Sequence, residues 1–102
     1  MKSFWLTFRL KDNASYQNRY TALMEHIEGA ADTSQSLWQE PTSFIAFRSE
    51  HTIDTLAQHF KKPIDQEEDV LLLCEIGFKR YRIIGEPDDV DVFDLFHPLK
   101  EV

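Results

Sequence analysis

Five basic residues of this chain stand at strand ends or among aromatic residues: Arg9, Arg48, Lys79, Arg80 and Arg82, with Phe78 and Tyr81 interleaved among the last three. Rings beside guanidinium and ammonium groups are the chemistry of single-strand nucleic-acid binding, where bases stack on aromatics and cations meet phosphate. The same residues also suit a solvated hairpin whose charges balance nearby acids. Whole-chain charge weighs on the choice. Eleven Lys and Arg against 18 Asp and Glu give a formal net charge of -7, a field that repels phosphate backbone at long range. Nucleic acid is therefore the disfavoured partner.

Asp88, Asp89, Asp91 and Asp94 could offer oxygen ligands to a hard cation, but their spacing matches no calcium loop. In an extended chain Asp89 and Asp91 fall opposite Val90 and Val92, which is how an edge strand stays soluble. Asp65, Glu67, Glu68 and Asp69 read as an exposed turn. The four histidines, His26, His51, His59 and His97, contain no HExxH and no i,i+4 pair, so a metal site among them needs tertiary coincidence. His51 and His59 read as surface helix residues. The single cysteine, Cys74, excludes an intrachain disulfide and a cysteine zinc cluster, fits a reducing compartment, and lies in an apolar run where it reads as a small core residue. With 3 Gly in total and no Ser-His-Asp order, there is no phosphate loop, nucleotide fingerprint or triad. No catalytic residue, metal ligand or cofactor is assigned.

These side chains are positioned by a single domain, residues 1–102, with 42% hydrophobic residues and 8 Phe, enough for one core. Apolar residues at 4, 6, 8 and 10 alternate with Thr7 and Arg9, the pattern of a half-buried strand. That segment is too short and polar for a secretory core or a membrane span, and a cytoplasmic location is expected. Tyr16, Tyr20, Leu23, Ile27 and Ala30 trace one helix face, predicting a helix over 15–28 with Asn13 or Ser15 as its cap and Gly29 as its left-handed stop. A second extended region covers Leu37 and Trp38 and continues through Phe44 to Phe47, with an irregularity near Pro41. Ser49 then reads as the cap of a helix over 49–62, whose apolar face is Ile53, Leu56, Ala57 and Phe60 and which Pro63 ends. Residues 70–76 are nearly unbroken apolar and predict a strand buried on both faces. A turn at 77–79 leads to a short strand at 81–84, and residues 90–96 read as a final extended segment.

That order gives an α+β domain built on a βαββαβ frame, with an antiparallel sheet, two helices on one face and a C-terminal extra strand. Two helices cover only one side, and the other side, with Trp5 on it, needs a cover. The expected cover is a second copy of the chain, with Trp5, Val90, Val92, Phe93 and Phe96 at the dimer interface. The alternative is a monomer in which residues 90–96 fold back onto their own sheet.

In the alternating strand Phe4 to Leu10, the segment Thr42-Ser43-Phe44-Ile45-Ala46-Phe47, the capped second helix, the apolar run and Tyr81-Arg82-Ile83-Ile84, the chain resembles a known family. This is the small ferredoxin-like family that includes the CRISPR-associated spacer-acquisition subunit, VapD-type ribonucleases and SinR-like proteins. The resemblance spans nearly the whole chain and implies a ferredoxin-like sandwich that dimerises. Nuclease members of that family carry an aspartate at the end of the first strand, where this chain has Arg9. A guanidinium cannot ligate a metal, so fold and dimer carry over and catalysis does not. The expected function is a non-enzymatic homodimeric interaction or scaffold protein, open to a protein partner and with no membrane association. Two alternatives stand beside it. One is a divalent-metal-dependent ribonuclease or deoxyribonuclease with Asp12 or the C-terminal acids as ligands. The other is a non-catalytic nucleic-acid binder using Arg9 and the 79–82 hairpin.

Overall fold

Strand β1 (Lys2–Arg9) takes its place from its own alternation: Phe4, Leu6 and Phe8 are buried on one side, and Ser3, Trp5 and Thr7 are half-buried on the other. In the computed structural model it pairs antiparallel with both β3 (Phe44–Ser49) and β4 (Val70–Glu75). The structure describes residues 1–102, the side chain of Ser34 excepted. The remaining strands are β2 (Leu37–Trp38), β5 (Tyr81–Ile84) and β6 (Leu99–Glu101), and the sheet order is β2-β3-β1-β4-β5-β6. All neighbours are antiparallel except β5 and β6, which run parallel. The domain is thus α+β, with a six-stranded mixed sheet and three helices, and no helix among the described residues is long and apolar enough to cross a membrane.

Helices α1 (Tyr16–Ala30) and α2 (Ile53–Lys61) both lie on the face that carries Phe4, Leu6 and Phe8. Their buried residues are Leu23, Ile27 and Ala30 from α1 and Ile53, Leu56, Ala57 and Phe60 from α2. These meet Ile45, Phe47, Leu71, Leu73 and Ile84 in one core. Helix α1 runs two residues past its expected end because Ala30 is buried in that core. Gly29 accordingly lies within the last turn of the helix, and the chain leaves the helix through extended backbone at Ala31. Asn13 accepts hydrogen bonds from the Ser15 amide and hydroxyl, both at 3.1 Å, but no side chain caps α1 itself.

Helix α2 starts later than its expected cap. Ser49 is the buried last residue of β3, facing Lys2 across the ladder, and its hydroxyl accepts from the His51 amide at 3.2 Å. Thr52 is the cap instead, its side chain accepting from the Thr55 amide at 3.2 Å. Asp54 supplies the acid of the first turn, where the helix dipole favours it.

The largest departure from the sequence reading is at the C-terminal end. Residues 90–96 are not extended; α3 (Val92–Leu95) is a single helical turn, followed by β6. An extended chain would send Val92 and Phe93 to opposite sides, whereas one turn of helix puts Val92, Phe93 and Phe96 against the same surface. That surface is the second face of the sheet, where they pack with Leu72, Cys74, Ile83, Trp5, Tyr81 and Leu99. The chain therefore covers half of its own second face. Of the residues expected at a subunit interface, Trp5, Val92, Phe93 and Phe96 pack within the chain, and Val90 is exposed.

Candidate functional site

The second face is built by the pleat: Trp5, Thr7 and Arg9 on β1, Phe44, Ala46 and Arg48 on β3, and Trp38 on β2 alternate with side chains of the core. An aromatic row crosses it. Trp38 meets Phe44 edge-on at 6.2 Å, Phe44 stacks on Trp5 at 5.4 Å, Trp5 meets Phe96 at 6.2 Å and Phe96 meets Tyr81 at 5.5 Å. The segment 92–99 covers the Tyr81 end. The Trp38 end is bare, and Trp38 is 50% exposed. Where residues 87–92 pass the lower end of β1, they leave an apolar groove of about 410 Å³ lined by Thr7, Arg9, Val70, Leu72, Ile83 and Val92. Arg9 and Asp88 pair across its mouth at 3.4 Å, both well exposed, which adds little stability.

The structure does not gather the five basic residues. Arg9 faces Val70 at one end of the sheet, while Lys79 and Arg80 sit in the turn beyond Glu75 at the other. Arg48 is exposed on the second face. Arg82 is buried on the helix side, where its Nε donates to Asp54 at 2.6 Å and its Nη1 to the Tyr81 carbonyl at 2.9 Å. The hydrogen bond from Arg82 holds the Asp54 carboxyl below its ordinary value, against a smaller opposing effect of burial. Arg80 donates to the buried Glu75 at 3.1 Å and lies over the Phe78 ring at 4.6 Å. Arg80 and Arg82 share a polar cavity of about 220 Å³ at the first turn of α2.

Asp69 departs from the exposed turn that the sequence suggested, since it is 1% exposed. Its carboxylate accepts from the Lys11 and Asp65 amides, both at 2.8 Å, and pairs with Arg19 of α1. Arg19 also donates to the Lys11 carbonyl and to Asn13, each at 2.7 Å. Every polar atom of this knot that is buried has a partner, so it is structural. Fifty residues separate the pair in sequence, and only the position of Asp69 immediately before an apolar strand hinted at burial. Asp88, Asp89, Asp91 and Asp94 are exposed. Among the described residues no group of three or more His, Cys, Asp or Glu is arranged to hold a metal ion.

His59 is half-buried, not a free surface residue. Its ring lies 4.5 Å from that of His26, centroid to centroid, across the seam between α1 and α2. Burial, reinforced by the neighbouring charge of His26, pushes the His59 imidazole below its ordinary value. His51 remains exposed, in the bend before α2. Cys74 is buried, and burial raises its thiol to about 12, so it is no thiolate at neutral pH.

The fold and its surfaces define an α+β domain with one face sealed by helices and a second face half-covered by its own C-terminal segment. Set against known protein families, curated proteins and solved structures, the chain matches none.

Proposed function

We propose that this chain is a non-enzymatic interaction module of ferredoxin-like build that works as a homodimer through the bare half of its second sheet face. The observation that carries the reading is the exposed Trp38 at the end of the aromatic row through Phe44 and Trp5. An aromatic surface of this kind, beside residues that keep it soluble, is the composition of a protein interface core and its rim. The ferredoxin-like description rests on the first six elements, which run β-α-β-β-α-β with their strands ordered β2-β3-β1-β4. Kinship with the family of the CRISPR-associated spacer-acquisition subunit is part of the same reading, and Arg9 in place of a metal-binding aspartate argues for its non-catalytic side. A single, buried cysteine suits a reducing cytoplasm.

Light scattering on the wild type and on Trp38→Glu tests it. The expected result is a dimer for the wild type and a monomer with an unchanged circular-dichroism spectrum for the variant. A wild type that stays monomeric across the micromolar range overturns the reading.

Arg48 favours a second reading, since it stands exposed on the strand that carries Phe44. Bases stacked on Trp38 and Phe44 with a phosphate on Arg48 would make this half-face a single-strand nucleic-acid platform. Fluorescence anisotropy with a labelled oligonucleotide separates the two. Binding that weakens steeply with salt and is lost in Arg48→Glu favours nucleic acid; absence of binding at low salt removes it.

A further inference from the structure

The histidines are the one chemistry-bearing set to which neither reading gives a role, and their sequence spacing offers no metal motif. Folding supplies a coincidence that the spacing lacks. His26 on α1 and His59 on α2 are both half-buried at the seam between the helices, with ring centroids 4.5 Å apart and planes 40° from parallel.

The hydrogen bonds fix which ring nitrogens keep a lone pair. His26 Nδ1 lies 2.7 Å from the Ala22 carbonyl oxygen, which only accepts, so Nδ1 carries the proton and Nε2 has the lone pair. His59 Nε2 lies 3.2 Å from the His26 carbonyl oxygen, so Nε2 carries the proton and Nδ1 has the lone pair. Metal-ligating histidines are held in this way, with one ring N–H tied to a backbone carbonyl while the other nitrogen faces the ion. Ligand nitrogens on a tetrahedral ion at about 2.0–2.1 Å stand roughly 3.3 Å apart, a span that two rings at this centroid separation can straddle. A cavity of about 210 Å³ opens beside His59, lined also by His51, Thr55, Leu56, Gly29 and Ala30 but not by His26, and leaves the His59 side of the seam open to water.

We propose that the α1–α2 seam binds a divalent transition-metal ion through His26 Nε2 and His59 Nδ1, with water completing the coordination. Neutral imidazole ligands select borderline ions such as zinc, nickel and copper over magnesium and calcium, which require oxygen. With two protein ligands the site is exchangeable, unlike the closed four-ligand sites that hold structural zinc. An ion there ties α1 to α2, the two helices that seal the core.

Chelator-treated full-length protein is titrated with zinc chloride and with nickel chloride, followed by calorimetry and by thermal melting. One ion per chain and a rise in Tm are expected, both lost in His59→Gln and in His26→Gln, retained in His97→Gln, and absent with magnesium. A wild type that gives neither heat nor a Tm shift with zinc, nickel or copper overturns the proposal, as does a His59→Gln variant that binds as the wild type does. Should the seam variants fail to fold, ring-nitrogen NMR of the wild type decides. Zinc must move the His26 and His59 resonances and leave that of His97 in place, and the reverse pattern overturns the site.

Discussion

Asp69 joins three parts of the chain: the loop after β1 through the Lys11 amide, the loop before β4 through the Asp65 amide, and α1 through Arg19. Its side chain has no exposure and that of Arg19 has 11%, so removing either partner leaves a buried charge without its counter-ion. Asp69→Ala is expected to cost about 3–5 kcal/mol, read as a lower urea midpoint with an unchanged slope. His59 gives the pH dependence of stability. Its imidazole titrates below 6.5 in the folded protein because burial and His26 disfavour the charged form. The folded state thus binds fewer protons than the unfolded chain as pH falls through that value. Stability from this group is complete above about 6.5 and declines as pH drops below it. In metal-free protein, Tm between pH 7 and pH 5 is expected to fall less for His59→Gln than for the wild type. An equal fall in both would remove His59 as the cause.

Among the elements, the C-terminal segment decides most. It leaves β5 through Gly85, whose φ is +89, and a Cβ there would stand 2.0 Å from the Asp69 carbonyl oxygen. Gly85→Ala therefore combines an unfavourable backbone conformation, of order 1–3 kcal/mol, with a clash against a fixed carbonyl. The expected outcome is a lower Tm and a disturbed path for everything after residue 85. Further along, Phe96 packs on both Trp5 and Tyr81. Phe96→Ala should cost about 2 kcal/mol, below the 3–5 kcal/mol of a fully enclosed ring because Phe96 is half-buried. It should also shift Trp5 emission to the red, and an unshifted spectrum would mean that Phe96 does not shield that ring. The strands and the two long helices were legible because their apolar residues repeat at two or at three and four. Helix α3 was not, because Val92, Phe93 and Phe96 form too short a pattern to choose a period without knowing what surface they meet. The cap of α2 was misplaced for a related reason: Ser49 and Thr52 are both good caps, and pairing of Ser49 with Lys2 in the ladder reserves it for β3.

For the molecule as a whole, charge and surface divide unevenly over the second face. The covering segment carries Glu86, Asp88, Asp89, Asp91 and Asp94 with no basic residue between 85 and 96, whereas the bare half carries Arg48. A phosphate backbone crossing the whole face meets that acidic run, which favours a protein partner over nucleic acid on electrostatic grounds. If the partner is a second copy, folding and association are linked by mass action. Raising the wild-type concentration tenfold should then raise its Tm, and Trp38→Glu should melt at a temperature independent of concentration. A concentration-independent wild type would place the bare half-face outside any self-association.

The sequence by itself determined what depends on neighbours along the chain: the α+β class, the alternating β1, the apolar β4 closed on both faces, the helix-side core, and a second face, with Trp5 on it, that needs a cover. Hydrophobic periodicity is a local property, and burial follows from it directly. Only the tertiary structure decided what depends on residues far apart in sequence. Asp69 found Arg19, Arg82 found Asp54, His59 came against His26, and the C-terminal segment folded onto its own sheet. Each of these is a contact between groups at least 28 residues apart or a choice among surfaces, and a polar side chain carries no record of its distant partner until the sheet and helices bring the two within hydrogen-bonding distance.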